Sequence, residues 1–418
     1  MPSWTRQMGY PVISISANGD GDDLLIDVSQ RKFNLDGTES DPKDQWVVPI
    51  GVATDTNPIV CKFLLDTPKS QQRLKNVVKE ANHVKLNPNH NGFYRVSYSE
   101  GTFERILQDL LKMSPSDRLG VLNDQMALAR GAIANTTQCL DLIKVIGSQE
   151  ENYVVWAAVD KSVGTFEAIF EQLGQKKEFS KFVQELYDRI YKSLGFDAKE
   201  GESILNSMLR PLVLSRLGKH GHSEVLAKFR EKFQHHCSGA APIQADLRAC
   251  IYSAIARHGG EEAYSNLIKL YEAGDLAEER VRLLQCASQT GDRSLLLRLL
   301  DYSRSDKVRH QDLVSVLWGG SDTQEGLSVC YDYLKSNYQW YYDNFKGIFL
   351  MSSIIGACTG GFMTLERADD VKKFFDSHPC EGAERKVLQS IEQIQIRAKW
   401  VERDGDKMKE WLAGQGSK

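Results

Sequence analysis

The chain contains 418 residues, of which 41% are hydrophobic and 26% are charged, so it can bury the cores of two or three soluble domains. Its formal net charge of -4 provides no basic surface of the kind that binds nucleic acid. No apolar run approaches the roughly 20 residues that cross a membrane. Neither nucleic acid nor a membrane is therefore an expected partner.

The cysteines indicate a reducing compartment. Eight of them are scattered along the chain, and no two form a Cys-x-x-Cys pair. A chain of this length does not need a disulfide framework to hold a core. The first residues also lack the apolar segment of a secretory signal. We therefore expect free thiols and a cytoplasmic location.

The first 98 residues have the pattern of short β-strands. Runs rich in β-branched and aromatic residues are separated by turn formers such as Asn18-Gly19 and Asn57-Pro58. The predicted strands are 11–16, 24–33, 46–53, 60–65, 73–78, 83–86 and 93–98. Several short strands with no helix between them predict an antiparallel β-sandwich.

From Ser99 onward, apolar residues recur at intervals of three and four, which is the pattern of helices with one buried face. Ser99 can cap the helix predicted at 102–113, and Ser114 followed by Pro115 predicts the start of the next helix. Further helices are predicted at 154–173, 179–194, 204–217, 225–233, 247–256, 263–271, 281–287, 295–300, 326–335, 345–358, 365–375 and 385–411. The predicted domains are a β-sandwich at 1–98 and a helical domain at 99–418. The fold class is α+β, mainly α.

Three helix junctions resemble one another. Each contains a glycine, and these glycines, Gly221, Gly259 and Gly291, are 38 and 32 residues apart. Such spacing is typical of stacked helix pairs of the HEAT or armadillo kind, although a plain run of capped helices would also produce it. Stacked pairs form a superhelix whose inner side can hold a long ligand or a partner domain.

The histidines do not form a zinc-protease motif. A helix that holds catalytic zinc needs two histidines four residues apart, with a glutamate that activates water. None of the nine histidines has a second histidine four residues later, and the inverted order His-x-x-Glu-His does not occur. The group of His220, His222, His235 and His236 also lacks tetrahedral ligand spacing. The chain alone is therefore predicted to be inactive as a metalloprotease.

Two segments carry a family resemblance. They are Trp4-Thr5-Arg6-Gln7-Met8-Gly9-Tyr10-Pro11 and Asn91-Gly92-Phe93-Tyr94-Arg95-Val96-Ser97-Tyr98. Both resemble segments of the family of aminopeptidase N-like zinc aminopeptidases (gluzincins). The resemblance is strongest to the cytosolic puromycin-sensitive members of that family. Weaker matches follow at Asp117-Arg118 with Asn123-Asp124, at Asp246-Leu247-Arg248, at Val308-Arg309-His310-Gln311-Asp312 and at Ser377-His378-Pro379.

The resemblance implies a role without a catalytic centre. In this family the first segment follows the catalytic domain, and the second is the last strand of a β-sandwich. The chain would then correspond to the C-terminal half, with an ERAP1_C-like helical superhelix that closes the substrate chamber and binds the distal part of the peptide. The zinc, its ligands and the amine-binding Gly-Ala-Met-Glu-Asn run would lie in the catalytic half. No cofactor is expected in this chain.

The resemblance also selects candidate contacts with the peptide or with the catalytic half. They are Tyr94, Arg95, Arg118, Asp124, Asp246, Arg248, Arg309 and Asp312. Ordinary ion pairs and helix-end acids are the competing interpretation of the charged ones. Tyr94 and Arg95 alternate on a strand, so one of them is expected to point outward. The aromatic residues between Tyr331 and Phe345 fit either a chamber wall or a core.

Two functions remain open at this point. The first is the non-catalytic half of a zinc aminopeptidase, with the catalytic half as its partner in cis or in trans and peptides as ligands. The second is a stand-alone helical-repeat module that binds peptides or proteins without enzyme activity. An enzyme of another kind has no supporting motif, because nucleophile elbows and phosphate loops do not occur.

Overall fold

The computed structural model describes residues 2–75 and 82–415. The chain divides into two compact units, residues 1–163 and 164–418. The predicted border between residues 98 and 99 separates strands from helices, whereas the first unit contains both.

The first unit begins with two packed β-sheets. The strands are β1 (Pro11–Asp20), β2 (Asp23–Lys32), β3 (Val48–Thr54), β4 (Cys61–Leu65), β5 (Lys69–Leu74), β6 (Val84–Leu86) and β7 (Arg95–Tyr98). One sheet has the order β5-β2-β1-β7 and the other the order β4-β3-β6. The predicted sandwich is confirmed, with one difference: β7 pairs parallel with β1, and the other strand pairs are antiparallel.

Alternation of side chains explains why these segments form a sandwich. Ile13, Ile15 and Ala17 of β1 are buried, whereas Ser14 and Ser16 between them are only half-buried. A period of two places every second side chain on the same face of a sheet. The buried faces of the two sheets form one core, which includes the largely inaccessible Trp46. Strand β5 begins earlier than predicted, and residues 76–78 of that prediction lie outside the described residues.

Helices complete the first unit. They are α1 (Pro2–Thr5), α2 (Glu100–Asp109), α3 (Pro115–Arg130), α4 (Thr136–Gln149) and the start of α5 (Tyr153–Gln172). The predicted cap of α3 is confirmed, since the Ser114 hydroxyl accepts a hydrogen bond from the backbone N–H of Asp117 at 3.2 Å. Helix α4 was not predicted. It begins with two β-branched threonines, which have weak helix propensity.

The second unit is helical throughout its described part. Its helices are α6 (Lys176–Leu194), α7 (Ile204–Lys219), α8 (Ser223–Ser238), α9 (Ala245–His258), α10 (Gly260–Ala273), α11 (Ala277–Ala287), α12 (Arg293–Ser303), α13 (Leu313–Gly320), α14 (Gln324–Ser336), α15 (Tyr338–Phe345), α16 (Phe349–Thr359), α17 (Leu365–Ser377) and α18 (Glu384–Ala413). Helices α7, α9, α11 and α13 pack side by side in one layer, and α8, α10 and α12 alternate with them along the chain. The predicted superhelix of stacked pairs is confirmed.

The three glycine junctions fall at equivalent places in this array. They follow α7, α9 and α11, which are successive members of one layer. Gly221 and Gly260 adopt φ values of 81° and 59°, which disfavour other residues and stop a helix. The C-terminal ends of these three helices therefore lie near one another.

Small residues bring neighbouring helices close together. A Cβ atom added at Gly319 of α13 would lie 2.1 Å from the Ser288 hydroxyl and 2.2 Å from the carbonyl oxygen of Gln285, which belongs to α11. No side chain fits between these helices. Helix α13 was not predicted, because its sequence is apolar on every face and shows no stripe.

We predict that Gly319→Ala destabilises the second unit by about 1–3 kcal/mol, because the backbone of α11 must move to admit the methyl group. The measurement is urea unfolding followed by circular dichroism. Gly101→Ala is the control, since a Cβ there meets nothing within 4 Å and alanine favours a helix. Equal stability of the two variants would contradict the close approach of α11 and α13.

Candidate functional site

A buried row of charges joins β7 to helix α3 in the first unit. We call it the α3 seam, and its members are Lys85, His90, Arg95, Asp117 and Asp124. The Asp124 carboxylate lies 3.1 Å from the Arg95 guanidinium and accepts a 3.0 Å hydrogen bond from the backbone N–H of Val96. Asp124 is only 4% exposed. The seam therefore fixes the last strand of the sandwich to the helix.

A second ion pair of the seam joins Lys85 to Asp117, which lies two turns before Asp124 on α3. Lys85 Nζ is 2.8 Å from Asp117 Oδ1, and the same oxygen accepts a 2.8 Å hydrogen bond from the backbone N–H of Asn89. Lys85 also donates to two backbone carbonyls, those of Leu86 and Asn87, at 3.0 Å. A buried ammonium with three acceptors is well compensated.

Burial shifts the ionisation of these groups. It raises the pKa of Asp124 to about 6, although the Val96 N–H and Arg95 both favour the ionised carboxylate. It lowers the pKa of Lys85, and Asp117 partly offsets that effect. It also lowers the pKa of His90, which lies 3.9 Å from Asp124. At neutral pH the Asp124 carboxylate beside Arg95 is therefore largely ionised.

Three of the predicted contact residues have clear positions here. Tyr94 points into the sandwich core and is 5% exposed, whereas Arg95 is half-buried. The Arg95 guanidinium lies over the rings of Tyr10 and Phe33, at 5.6 and 5.3 Å from their centroids. Arg118 is half-buried and forms two hydrogen bonds with the Glu150 carboxylate, at 2.6 and 3.0 Å. Both arginines thus have partners within the first unit.

The two recognised sequence segments meet on one surface. We call this surface the aromatic patch, and it consists of Trp4, Tyr10, Phe33 and Phe93. The ring of Phe93 lies 6.3 Å from that of Trp4 and 5.3 Å from that of Tyr10. Phe93 is 72% exposed and Met8 85% exposed. A ring as exposed as that of Phe93, packed beside other half-buried aromatic rings, is typical of a surface that another domain covers.

The remaining predicted contacts, Asp246, Arg248, Arg309 and Asp312, lie in the second unit. Arg248 reaches Glu279 of α11 at 3.3 Å, while Asp246 is exposed in the first turn of α9. Arg309 and Asp312 do pair, through two hydrogen bonds of 2.7 and 3.1 Å. The Arg309 side chain is 53% exposed, so it can also reach a ligand.

The three glycine junctions line one cavity of about 500 Å³. We call it the junction pocket. The junctions contribute Lys219, His220, Arg257, His258, Thr290 and Gly291, and the remaining walls come from α5, α6, α12 and α14. The C-terminal turns of α7 and α9 each carry basic side chains, which favour the negative end of a helix dipole. Stacking of the repeats therefore gathers several cations around one cavity.

Glu167 is the central anion of this pocket. Arg216, Lys219 and His220 lie 2.9, 3.0 and 3.7 Å from its carboxylate. Burial opposes its ionisation, but the attraction of Lys219 and the other cations outweighs burial and lowers the pKa of Glu167 to about 2. Its negative charge is therefore present at all physiological pH values.

His220 is neutral at physiological pH. Burial lowers its pKa to about 4, although Glu167 favours the charged form. Its Nδ1 lies 3.0 Å from the Ser180 hydroxyl, and its Nε2 has no hydrogen-bond partner. The imidazole is thus held against α6 and contributes no charge to the pocket.

Two cations of the pocket remain available to a ligand. Lys177 of α6 and Arg293 of α12 line the cavity, are exposed, and have no ion-pair partner among the described residues. Neighbouring cations in a concave site attract a carboxylate or a phosphate. Asp292 and Glu325 also line the cavity, so Lys177 and Arg293 are its candidate contacts for an anionic group.

The sequence did not identify this pocket, although it identified the junctions. The available signal was a basic residue and a histidine before two of the three junction glycines, Lys219-His220 and Arg257-His258. Glu167, Lys177 and Arg293 line the pocket only because helices that are distant in sequence pack together.

Other candidate features have structural roles. His222 caps α8, and His236 lies 3.0 Å from the Tyr252 hydroxyl. No cluster of three metal-binding side chains occurs in the parts of the chain that the structure describes. The rings of Tyr331, Tyr341 and Phe345 are buried in the core. All eight cysteines are free thiols.

A search for membrane-crossing helices gave none: each helix in the described ranges is too short or too polar to span a bilayer.

Comparison with known proteins gives one family match. Residues 83–396 match the family described as the ERAP1-like C-terminal domain. The puromycin-sensitive aminopeptidase of Caenorhabditis elegans is 30% identical over 96% of this chain and 44% of its own length. Aminopeptidase M1-A of Oryza sativa is 31% identical over 96% of this chain and 46% of its own length. The mitochondrial aminopeptidase 2 of Saccharomyces cerevisiae is 25% identical over 100% of this chain and 43% of its own length. The chain thus spans less than half the length of these relatives.

The α3 seam predicts a specific dependence of stability on pH. The folded state binds the Asp124 proton with a pKa of about 6, whereas an unfolded aspartate titrates near about 3.9. Tighter proton binding by Asp124 in the folded state therefore stabilises the protein by up to about 3 kcal/mol. This stabilisation is fully present below about pH 4 and is lost as the pH rises through about 6.

Asp124→Asn removes this titration. Hydrogen exchange measures the free energy of opening of α3 in the parent protein and in the variant. We expect the excess of the parent value over the variant value to decrease from about pH 4 to about pH 7. Asp376→Asn, at an exposed aspartate paired with Lys372, is the control and should follow the parent. An advantage that is constant or grows with pH would contradict the shifted ionisation of Asp124.

Proposed function

The chain belongs to the ERAP1-like C-terminal domain family, and on this basis we propose that it acts as the non-catalytic C-terminal part of a zinc aminopeptidase. In this role it closes the substrate chamber and binds the part of a peptide that lies far from the scissile bond. The catalytic half, in cis or in trans, supplies the zinc and its ligands. Energy from remote contacts can help to position the reacting bond.

The observation that carries the proposal is the junction pocket. A peptide of any sequence ends in a carboxylate, and the pocket presents Lys177 and Arg293 without anionic partners among the described residues. Its volume of about 500 Å³ accommodates the last residues of a peptide. We therefore assign the peptide's C-terminal end to this pocket. Asp246 and Arg309, both exposed on the same unit, are proposed as additional peptide contacts.

The aromatic patch supports a partner domain. Among the described residues of the first unit, Met8 and Phe93 have the most exposed large apolar side chains, and they belong to the segments that define the family resemblance. Exposed aromatic side chains are frequent anchors of protein interfaces. We propose that the catalytic half covers this patch, with Arg95 at its edge. Tyr94, Arg118 and Asp124 act indirectly, because they hold the strand and helix that carry this surface.

Cytoplasmic location stays a prediction. It is supported by the free thiols, while one of the relatives bears a mitochondrial name. The alternative function, a stand-alone peptide-binding module, shares the junction pocket but gives no role to the aromatic patch.

The proposal is tested by peptide binding to the purified chain. We expect a short fluorescent peptide with a free C-terminal carboxylate to bind more tightly than its amidated form, as measured by fluorescence anisotropy. Replacing Lys177 and Arg293 by glutamine should weaken binding of the acid by about threefold to tenfold, the effect of losing solvent-accessible ion pairs.

Lys181→Gln is the matched control. Lys181 lies one turn after Lys177 on α6 and pairs with Glu185, away from the pocket lining. Equal binding of the acid and the amide, or an equal loss in the control, would refute the assignment of the C-terminal carboxylate to this pocket.

A further inference from the structure

An acidic side chain of the protein itself already occupies two cations of the junction pocket. Asp322 lies in the turn between α13 and α14, next to the pocket lining. One of its oxygens, Oδ2, is 2.9 Å from Lys219 Nζ and accepts a 2.5 Å hydrogen bond from Arg257. Both of these cations line the pocket.

The two cations depend on Asp322 to different degrees. Lys219 is shared with Glu167, which lies 3.0 Å away on the other side. Arg257 has Asp322 as its only ion-pair partner among the described residues. Removal of Asp322 would therefore leave Lys219 compensated and Arg257 free to bind another anion.

The Asp322 contact is open to exchange. Its side chain is 33% exposed, and ion pairs that water can reach contribute little net free energy. Glu167, in contrast, is 17% exposed and has two cationic neighbours, Arg216 and Lys219. A ligand carboxylate would thus displace Asp322 far more readily than Glu167.

We infer that Asp322 is an autoinhibitory carboxylate, which holds Arg257 and Lys219 until the C-terminal carboxylate of a peptide displaces it. This inference rests on the proposed function, because it takes the junction pocket as the site of the peptide's C-terminal end. It adds a regulatory element to that site. The pocket is then closed by an internal ion pair when empty and opened by its ligand.

Displacement of Asp322 also affects the rest of the turn. The backbone N–H of the adjoining Gln324 donates a 3.1 Å hydrogen bond to Glu171 of α5, and its side-chain amide donates to the carbonyl of Gly361. The turn thus connects segments that are far apart in sequence within the second unit. Binding in the pocket and order in this turn are therefore coupled, and such coupling is reciprocal.

The test is Asp322→Asn, measured with the same acid and amide peptides. We expect the variant to bind the free-acid peptide about threefold to tenfold more tightly than the parent does, because the ligand no longer competes with an internal anion. Binding of the amidated peptide should not change. Asp376→Asn, which removes an exposed aspartate outside the pocket, should bind like the parent.

A second variant identifies the cation. Adding Arg257→Gln to Asp322→Asn should abolish the gain, since Arg257 is the group that becomes available. A gain that persists in the double variant would overturn the role assigned to Arg257.

Hydrogen exchange of the parent protein provides a measurement that needs no variant. Saturation with the acid peptide should increase exchange at the amides of 321–324, and the amide peptide should not. If the acid is preferred but neither exchange nor the Asp322 variant responds, Asp322 is no competitor and only the inference fails. If acid and amide bind alike in every form of the protein, the proposed function fails and the inference fails with it.

Discussion

The carboxylate of Glu167 fixes helix α5 to the C-terminal end of α7 in the second unit. It pairs with Arg216 and Lys219 and lies near His220, so its loss would leave Lys219 with Asp322 as its anionic neighbour. Removing one partner of a buried ion pair is costly, because the other charge is left in a medium that solvates it poorly. The C-terminal end of α7 therefore has to lie against this anion. The junction pocket is the space that remains beside it.

Local chemistry predicted much of the fold. Ser114 and Pro115 mark the start of α3, alternating side chains mark β1, and the junction glycines mark the ends of successive helices. Helix α13 was missed because it is apolar on every face, so its sequence contains no period. The parallel pairing of β7 with β1 was also missed, since the alternation of side chains is the same in both strand directions.

The sites were less predictable than the fold. Arg95 and Asp124 were both candidates, yet their pairing depends on how β7 lies against α3. The junction pocket combines Lys177 with Arg293, which lie more than a hundred residues apart in sequence. Contacts between such distant residues follow from helix stacking, and a single sequence contains no pattern that predicts them. What the sequence did carry was the family resemblance, which the match over residues 83–396 confirms. Together, the resemblance and the pocket favour a peptide-handling role over chemistry performed by this chain.

The most direct test of that role is reconstitution with a catalytic partner. The catalytic part of the Caenorhabditis elegans relative would be expressed without its own C-terminal part and assayed with and without this chain. Hydrolysis would be measured for a single aminoacyl amide and for a longer peptide with a free C-terminus. The account predicts that the chain alone is inactive and that its addition accelerates hydrolysis of the peptide more than that of the amide. Hydrolysis by the chain alone, or no effect of its addition on either substrate, would contradict it.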